Sequence, residues 1–302
     1  MFRKFINRLT GTPYFRSRKK VLILEGGGMR GIFLTGVLQA FTDRRFFPWK
    51  LIIGSSAGAL TGAAYAAGQI HIARDAFFSE LLSGKFITLT NILRQNRHVL
   101  NLDWMIETIV QGSEPLDRKA LGKSCPVLIT ATDCRPDNVP RTLYLDSRKD
   151  DPIIALKATA AIPFLYRGFV EYKNHRFLDG GLLDPIPYLK ALEMGFRESE
   201  ILVVLTRVRG YRKKEESVWI RALYESYYRN REFRFLIEAI ENRFIHYNKL
   251  LDDLENRFTG IDVLYPPEGF RVDRLTRDPK KILEGFGQGI STGREYYHSL
   301  MR

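Results

Sequence analysis

Ser56 stands at the centre of Gly54-Ser55-Ser56-Ala57-Gly58, between the apolar run Leu51-Ile52-Ile53 and a small-residue stretch over 57–67. Gly-x-Ser-x-Gly where a strand turns into a helix presents a serine hydroxyl at the tip of a sharp turn, free to attack an electrophile. Ser55 beside it is expected to point its side chain away from the elbow. A serine hydroxyl is a poor nucleophile at neutral pH. It needs a base to take its proton and donors to hold the oxyanion that its attack creates.

Donors are offered by Gly26-Gly27-Gly28-Met29-Arg30-Gly31, which follows the apolar run 21–24. Successive glycines let backbone N–H groups point into one concavity at a helix N-terminus, with Gly27 and Gly28 as the donors and Arg30 adding a positive charge nearby. The spacing of Gly26, Gly28 and Gly31 also fits a dinucleotide-binding turn. That reading requires a carboxylate at the end of the second strand, where this chain reads Ile-Ile-Gly-Ser-Ser.

The base is harder to find. His71, His98, His175, His246 and His298 lie in helical, hairpin or late segments, none in a setting that suits a Ser-His-acid triad. The other candidate is Asp179 in Phe177-Leu178-Asp179-Gly180-Gly181, where a strand ends and two glycines allow a sharp turn and a close approach to another loop. Taken alone, Asp-Gly is an ordinary turn.

These residues need elements to hold them. Short branched apolar runs at 20–24, 50–55, 125–133 and 200–208 read as buried strands, and helical patterns follow the first two. Residues 71–124 read as mostly helical, with Phe77, Phe78, Leu81 and Leu82 facing a core. Pro152 opens a helix, 170–181 is a hairpin turning near Asn174, and Asp278-Pro279 caps and begins a closing helix. Strands alternating with helices predict a three-layer α/β/α fold with a mostly parallel sheet. A basic segment over 1–19 precedes a single domain, 20–302, in which 209–260 forms a helical, aromatic-rich excursion with Val218, Trp219, Ala222 and Leu223 facing a core or a lipid surface.

The 302-residue chain carries a net charge of +13. Seven basic residues and no acid fall within 1–20, and eleven basic against six acidic residues fall within 207–250. Such surfaces attract anionic lipid or nucleic acid, although no nucleic-acid-binding module is recognisable. Cys125 and Cys134 form no disulfide framework or zinc pattern, which suits a reducing, cytoplasmic setting. No apolar segment follows the basic N-terminus as in a secretory signal. The uncharged stretch 51–70 is too rich in Gly, Ala, Ser and Thr to read as a membrane span.

Gly-Gly-Gly-Met-Arg-Gly, Gly-Ser-Ser-Ala-Gly and Asp-Gly-Gly, in this order, together with Ala155–Tyr166 (ALKATAAIPFLY), resemble the patatin-like phospholipase family. The resemblance covers about 20–206, and implies an α/β fold with a Ser-Asp dyad in place of a triad, acting on acyl esters of lipids as a phospholipase A, lysophospholipase or esterase. Carried over, it makes Ser56 the nucleophile and Asp179 its base. It assigns 26–31 (Gly26, Gly27, Gly28, Met29, Arg30 and Gly31) to the oxyanion loop, and Gly54, Gly58, Gly180 and Gly181 to the motif turns. It implies a lipid ester substrate, no metal and no cofactor, and the two basic, aromatic-rich segments suit peripheral docking on the anionic inner face of a membrane. The other function in play is a basic, non-catalytic protein that binds anionic membrane or nucleic acid.

Overall fold

The structure, a computed structural model, describes residues 18–94, 97–112, 114–135, 138–228 and 233–302. Residues 1–17 of the basic segment 1–19 and residues 229–232 of the excursion lie outside the described residues. Five strands run parallel in the order β3 (Val127–Asp133), β2 (Leu51–Gly54), β1 (Val21–Leu24), β7 (Ile201–Val204) and β8 (Asp262–Leu264). β1, β2 and β7 are buried along their whole length, as a strand covered on both faces requires.

The sheet becomes mixed at β3. β4 (Arg141–Asp146) runs antiparallel along 128–133 and fills one edge. The other edge is shared. β2 pairs with 127–129, and β6 (His175–Asp179) comes down antiparallel on 131–133 from the hairpin it forms with β5 (Val170–Tyr172). The C-terminal ends of β2 and β6 therefore meet head to head beside β3: Gly54 pairs with Ile129 and Asp179 with Ala131. The serine turn and the Asp-Gly-Gly turn start from neighbouring points for this reason.

Alternation along the strands sends side chains into two cores. Leu22, Leu24, Ile52, Leu202 and Val204 face α1 (Gly31–Asp43), α2 (Ala57–Ala66) and the closing helix α10 (Pro279–Ser299). Val21, Ile23, Leu51, Ile53, Ile201 and Val203 face α7 (Tyr188–Glu193) and α9 (Arg234–Asn256), which lays Tyr247, Leu250, Leu251 and Leu254 on the sheet. The result is three layers, helix–sheet–helix.

Between β2 and β3 lie α3 (Ile70–Phe78), α4 (Leu102–Gln111) and α5 (Arg118–Lys123). Phe77 is buried, with Phe78, Leu81 and Leu82 packed at the edge of the core. The caps read from the sequence form: Asp151 accepts from the N–H groups of Ile153 and Ile154 ahead of α6 (Pro152–Thr159), and Asp278 from that of Lys280. α10 approaches α1 through Gly285, Gly289 and Gly293, where a Cβ at Gly289 would stand 2.2 Å from the carbonyl oxygen of Phe33. Among the described residues the basic excursion holds two α-helices. α8 (Val218–Tyr227) buries Tyr224 and leaves Val218 and Trp219 in solvent, and α9 belongs to the sheet's second face. Among the described residues no helix is long and apolar enough to cross a membrane.

Candidate active site

Gly54 and Gly58 fix the turn that carries Ser56. A Cβ at Gly54 would lie 2.7 Å from the backbone of Ala59, and one at Gly58 2.4 Å from the carbonyl oxygen of Leu24. With both neighbours pressed against backbone, Ser56 takes φ 50° and ψ −124°, a conformation costing a non-glycine residue about 1–3 kcal/mol. Its N–H donates to Thr159 Oγ1 at 2.8 Å, which ties the elbow to the end of α6. The Ser55 side chain lies against the Asp-Gly-Gly turn. Its Oγ lies 3.4 Å from where a Cβ of Gly181 would stand, buried and without a hydrogen-bond partner among the described residues.

Asp179 ends β6, held by its N–H to Ala161 O at 2.9 Å and by Thr132 Oγ1 on its own carbonyl at 2.9 Å. Gly180 follows because a Cβ there would collide with Thr130, 2.3 Å from its carbonyl oxygen. Gly181 then turns back and donates its N–H to Asp179 Oδ1 at 2.7 Å. The carboxyl shares the wall of a small cavity with Ser56, whose side chain favours its charged form. Burial raises its pKa above the usual carboxylate range, against the pull of Ser56, the Gly181 N–H, Arg274 and Arg243.

In the glycine loop four N–H groups are already used: Gly26 on Pro185 O, Met29 on Arg274 O, Arg30 on Gly27 O and Gly31 on Gly28 O. Gly27 and Gly28 alone in the loop have N–H groups without a partner among the described residues, and both line a cavity with Ser56. These are the two glycines of the loop 26–31 that the sequence reading offers as donors; a 3₁₀ turn over Gly28–Arg30 and the contact with 274 occupy the other N–H groups. Gly28 needs its φ of +57° for that turn. Glu25 anchors the loop from below. One of its oxygens accepts from the Thr206 N–H and, at 2.9 Å, from Thr206 Oγ1; the other accepts from Tyr247 OH at 2.7 Å.

Two cavities meet at Ser56. One, about 230 Å³, is walled by apolar side chains including Leu60, Phe77, Leu81, Phe86, Leu102 and Leu156. The second, about 60 Å³, is walled by the glycine loop, Asp179 and five cations: Arg30, Arg207, Lys213, Arg243 and Arg274. Gly28, Ser56, Ile162 and Arg274 belong to both walls.

None of the five histidines is hydrogen-bonded to Ser56. His71 is nearest in kind, on the apolar cavity's wall, but its ring pairs with Glu114 at 2.8 Å. His98 stacks on Tyr166 and accepts from the Arg167 N–H, and His175 is tied to Asp133. Sequence reasoning missed Glu25, Thr159, Thr206, Lys213, Tyr247 and Arg274. Of these only Glu25 carried a signal, an acid ending a fully apolar strand. Among the described residues no group of three or more metal-ligating side chains lies together.

A solved structure of VipD from Legionella pneumophila superposes with a TM-score of 0.54 at 14% identity, covering 93% of this chain and 67% of that one. The likeness is one of fold. YjjU of Escherichia coli K12, itself uncharacterized, is 27% identical over 276 residues, 88% of this chain and 75% of its own. The sequence model of the patatin-like phospholipases matches residues 22–192, from β1 through the serine and Asp-Gly-Gly turns to α7. With a match over more than half its length, the chain belongs to the patatin-like phospholipase family, whose activity is lipid acyl hydrolysis.

Proposed function

We propose that the protein is a serine acyl hydrolase that cleaves a lipid ester with Ser56 as nucleophile and Asp179 as its base. The observation that carries this reading is a strained serine and a buried carboxylate on the wall of one small cavity, at the point where it meets an apolar cavity and unpartnered N–H donors. An acyl chain fills the apolar cavity, which sets the ester carbonyl beside Ser56. Asp179 takes the hydroxyl proton as the oxygen attacks, and the Gly27 and Gly28 N–H groups hold the oxyanion. The carboxyl returns its proton to the leaving alcohol. Asp179 then deprotonates the water that releases the acid from the acyl-serine.

Domain 20–302 acts as one unit in this reading, with the outer face of α8 docking it peripherally on an anionic membrane surface in the cytoplasm. Val218 is 68% and Trp219 86% exposed there, while Tyr224 on the inner face meets Phe164. Labelling with a fluorophosphonate, with and without anionic vesicles, tests the nucleophile. Wild type and Ser55→Ala are expected to label and Ser56→Ala not to. Labelling that persists in Ser56→Ala removes the proposed nucleophile.

A further inference from the structure

The cavity of about 60 Å³ beside Ser56 holds more positive charge than its surroundings balance. Arg243 pairs with Glu216. Arg30, Arg207, Lys213 and Arg274 have no ion-pair partner among the described residues. Three carboxylates lie close enough to serve them, and each is engaged elsewhere: Glu25 by Thr206 and Tyr247, Glu216 by Arg243, and Asp179 by Ser56 and Gly181. Arg30 is 4% exposed, and its Nε and Nη1 are buried without an acceptor. Unpaired guanidinium donors at that depth are costly unless something accepts from them. Burial with Arg207 and Arg274 pulls Arg30 down to about 10, and burial with Arg243 and Arg274 pulls Lys213 down to about 7.

We infer that this cavity is a subsite for a phosphomonoester, which places the phosphate of a lipid headgroup, or a free phosphate, against Arg30, Arg207, Lys213 and Arg274 while the acyl chain lies in the apolar cavity. The inference rests on the proposed hydrolase reading for its link to the ester, and on the cavity alone for the anion. A dianion with acceptor oxygens on every side suits converging guanidinium forks and an ammonium. The volume admits a handful of heavy atoms and no bulky onium group. Arg207 is held in place by stacking on Tyr211, its guanidinium carbon 4.2 Å from the ring centre, and Lys213 lies 5.6 Å from that of Tyr247. A zwitterionic headgroup would bring a cation to a wall that already repels one.

The test compares three esters with the same short, soluble acyl chain: a lysophosphatidic acid, a lysophosphatidylcholine and a monoacylglycerol. The phosphomonoester is expected to have the highest kcat/KM. Its ratio to the monoacylglycerol should fall about 10–100-fold in Lys213→Met and in Arg207→Met, mostly through KM. Calorimetry with inorganic phosphate reads the site without catalysis: one phosphate per chain in wild type and Ser56→Ala, weakened in both cation variants. Two variants are used so that a fold defect in one, seen by thermal melt, leaves the other. Competitive inhibition of lysophosphatidic acid cleavage by phosphate assigns the site to the headgroup. Stimulation of monoacylglycerol cleavage assigns it to free phosphate as effector. Equal kcat/KM for the three esters with no phosphate binding overturns the subsite and leaves the hydrolase standing. Phosphate binding without cleavage of any ester does the reverse.

Discussion

At the scale of residues, the site depends on one buried carboxylate that is ready to accept a proton. Asp179 is held above the usual carboxylate range by burial, which moves it toward the pH at which it must act. A base works only when deprotonated, so kcat/KM is expected to fall on acidification, with its acid limb above the ordinary aspartate value. Arg274 opposes the rise by favouring the charged form, so Arg274→Met should move the limb to higher pH. A limb at or below the ordinary value in wild type would contradict this account. Asp179→Asn should lower kcat/KM by about 10²–10⁴-fold. It should not lower the melting temperature at pH 7. The folded-state pKa is raised, so the carboxyl's contribution to stability is present at acid pH and lost as pH rises through that value. A melting temperature well below wild type at pH 7 would show that the carboxylate is a structural strut.

Elements bring these residues together, and here the helix α10 carries a requirement of its own. Gly289 lies against α1 so closely that a Cβ would stand 2.2 Å from Phe33 O and 3.0 Å from Gly36 Cα. Both obstacles are backbone, so Gly289→Ala has to push the helices apart. Overpacking of this kind costs about 1–3 kcal/mol, readable as a lowered midpoint in urea. An unchanged midpoint would mean that α10 is not held to this spacing. The elements themselves were legible in the sequence, since short branched apolar runs and Asp-Pro caps report local physics. What the sequence could not show is that β6 shares an edge of β3 with β2, because a head-to-head meeting of two strands depends on register. Ser56 was therefore readable from its own Gly-x-Ser-x-Gly turn, but Asp179 as its partner only through the family resemblance. Thr159, Thr206 and Arg274 were not readable at all, because a threonine at the end of a helix and an arginine in a loop have no periodicity. α9 reads as part of a basic excursion because the charged residues ahead of it and on its outer face dominate the composition. The few residues that bind it to the sheet, Tyr247, Leu250, Leu251 and Leu254, occupy one narrow stripe.

On the scale of the whole molecule, charge and exposure converge near the site. The net charge is +13, and α8 exposes Val218, Trp219 and Leu223 on one side while Tyr224 on the other reaches Phe164 and the side chain of Arg243. A helix that packs beside Arg243 of the cationic cavity and turns an indole outward would hold the cavities next to a lipid surface. Anionic lipid would attract the basic face by about 1 kcal/mol for each Lys or Arg near it, a contribution that salt screens. Burial of the indole adds an apolar contribution that salt does not screen. Two signatures should separate in a vesicle sedimentation assay. Trp219→Ala should weaken partition about tenfold at any salt concentration, the loss of roughly 1.4 kcal/mol of apolar burial. Raising salt should weaken wild type and variant in parallel on anionic vesicles, and leave the smaller binding to neutral vesicles unchanged. Equal partition of wild type and Trp219→Ala would take the docking face away from α8 and leave the charge to be explained by the substrate.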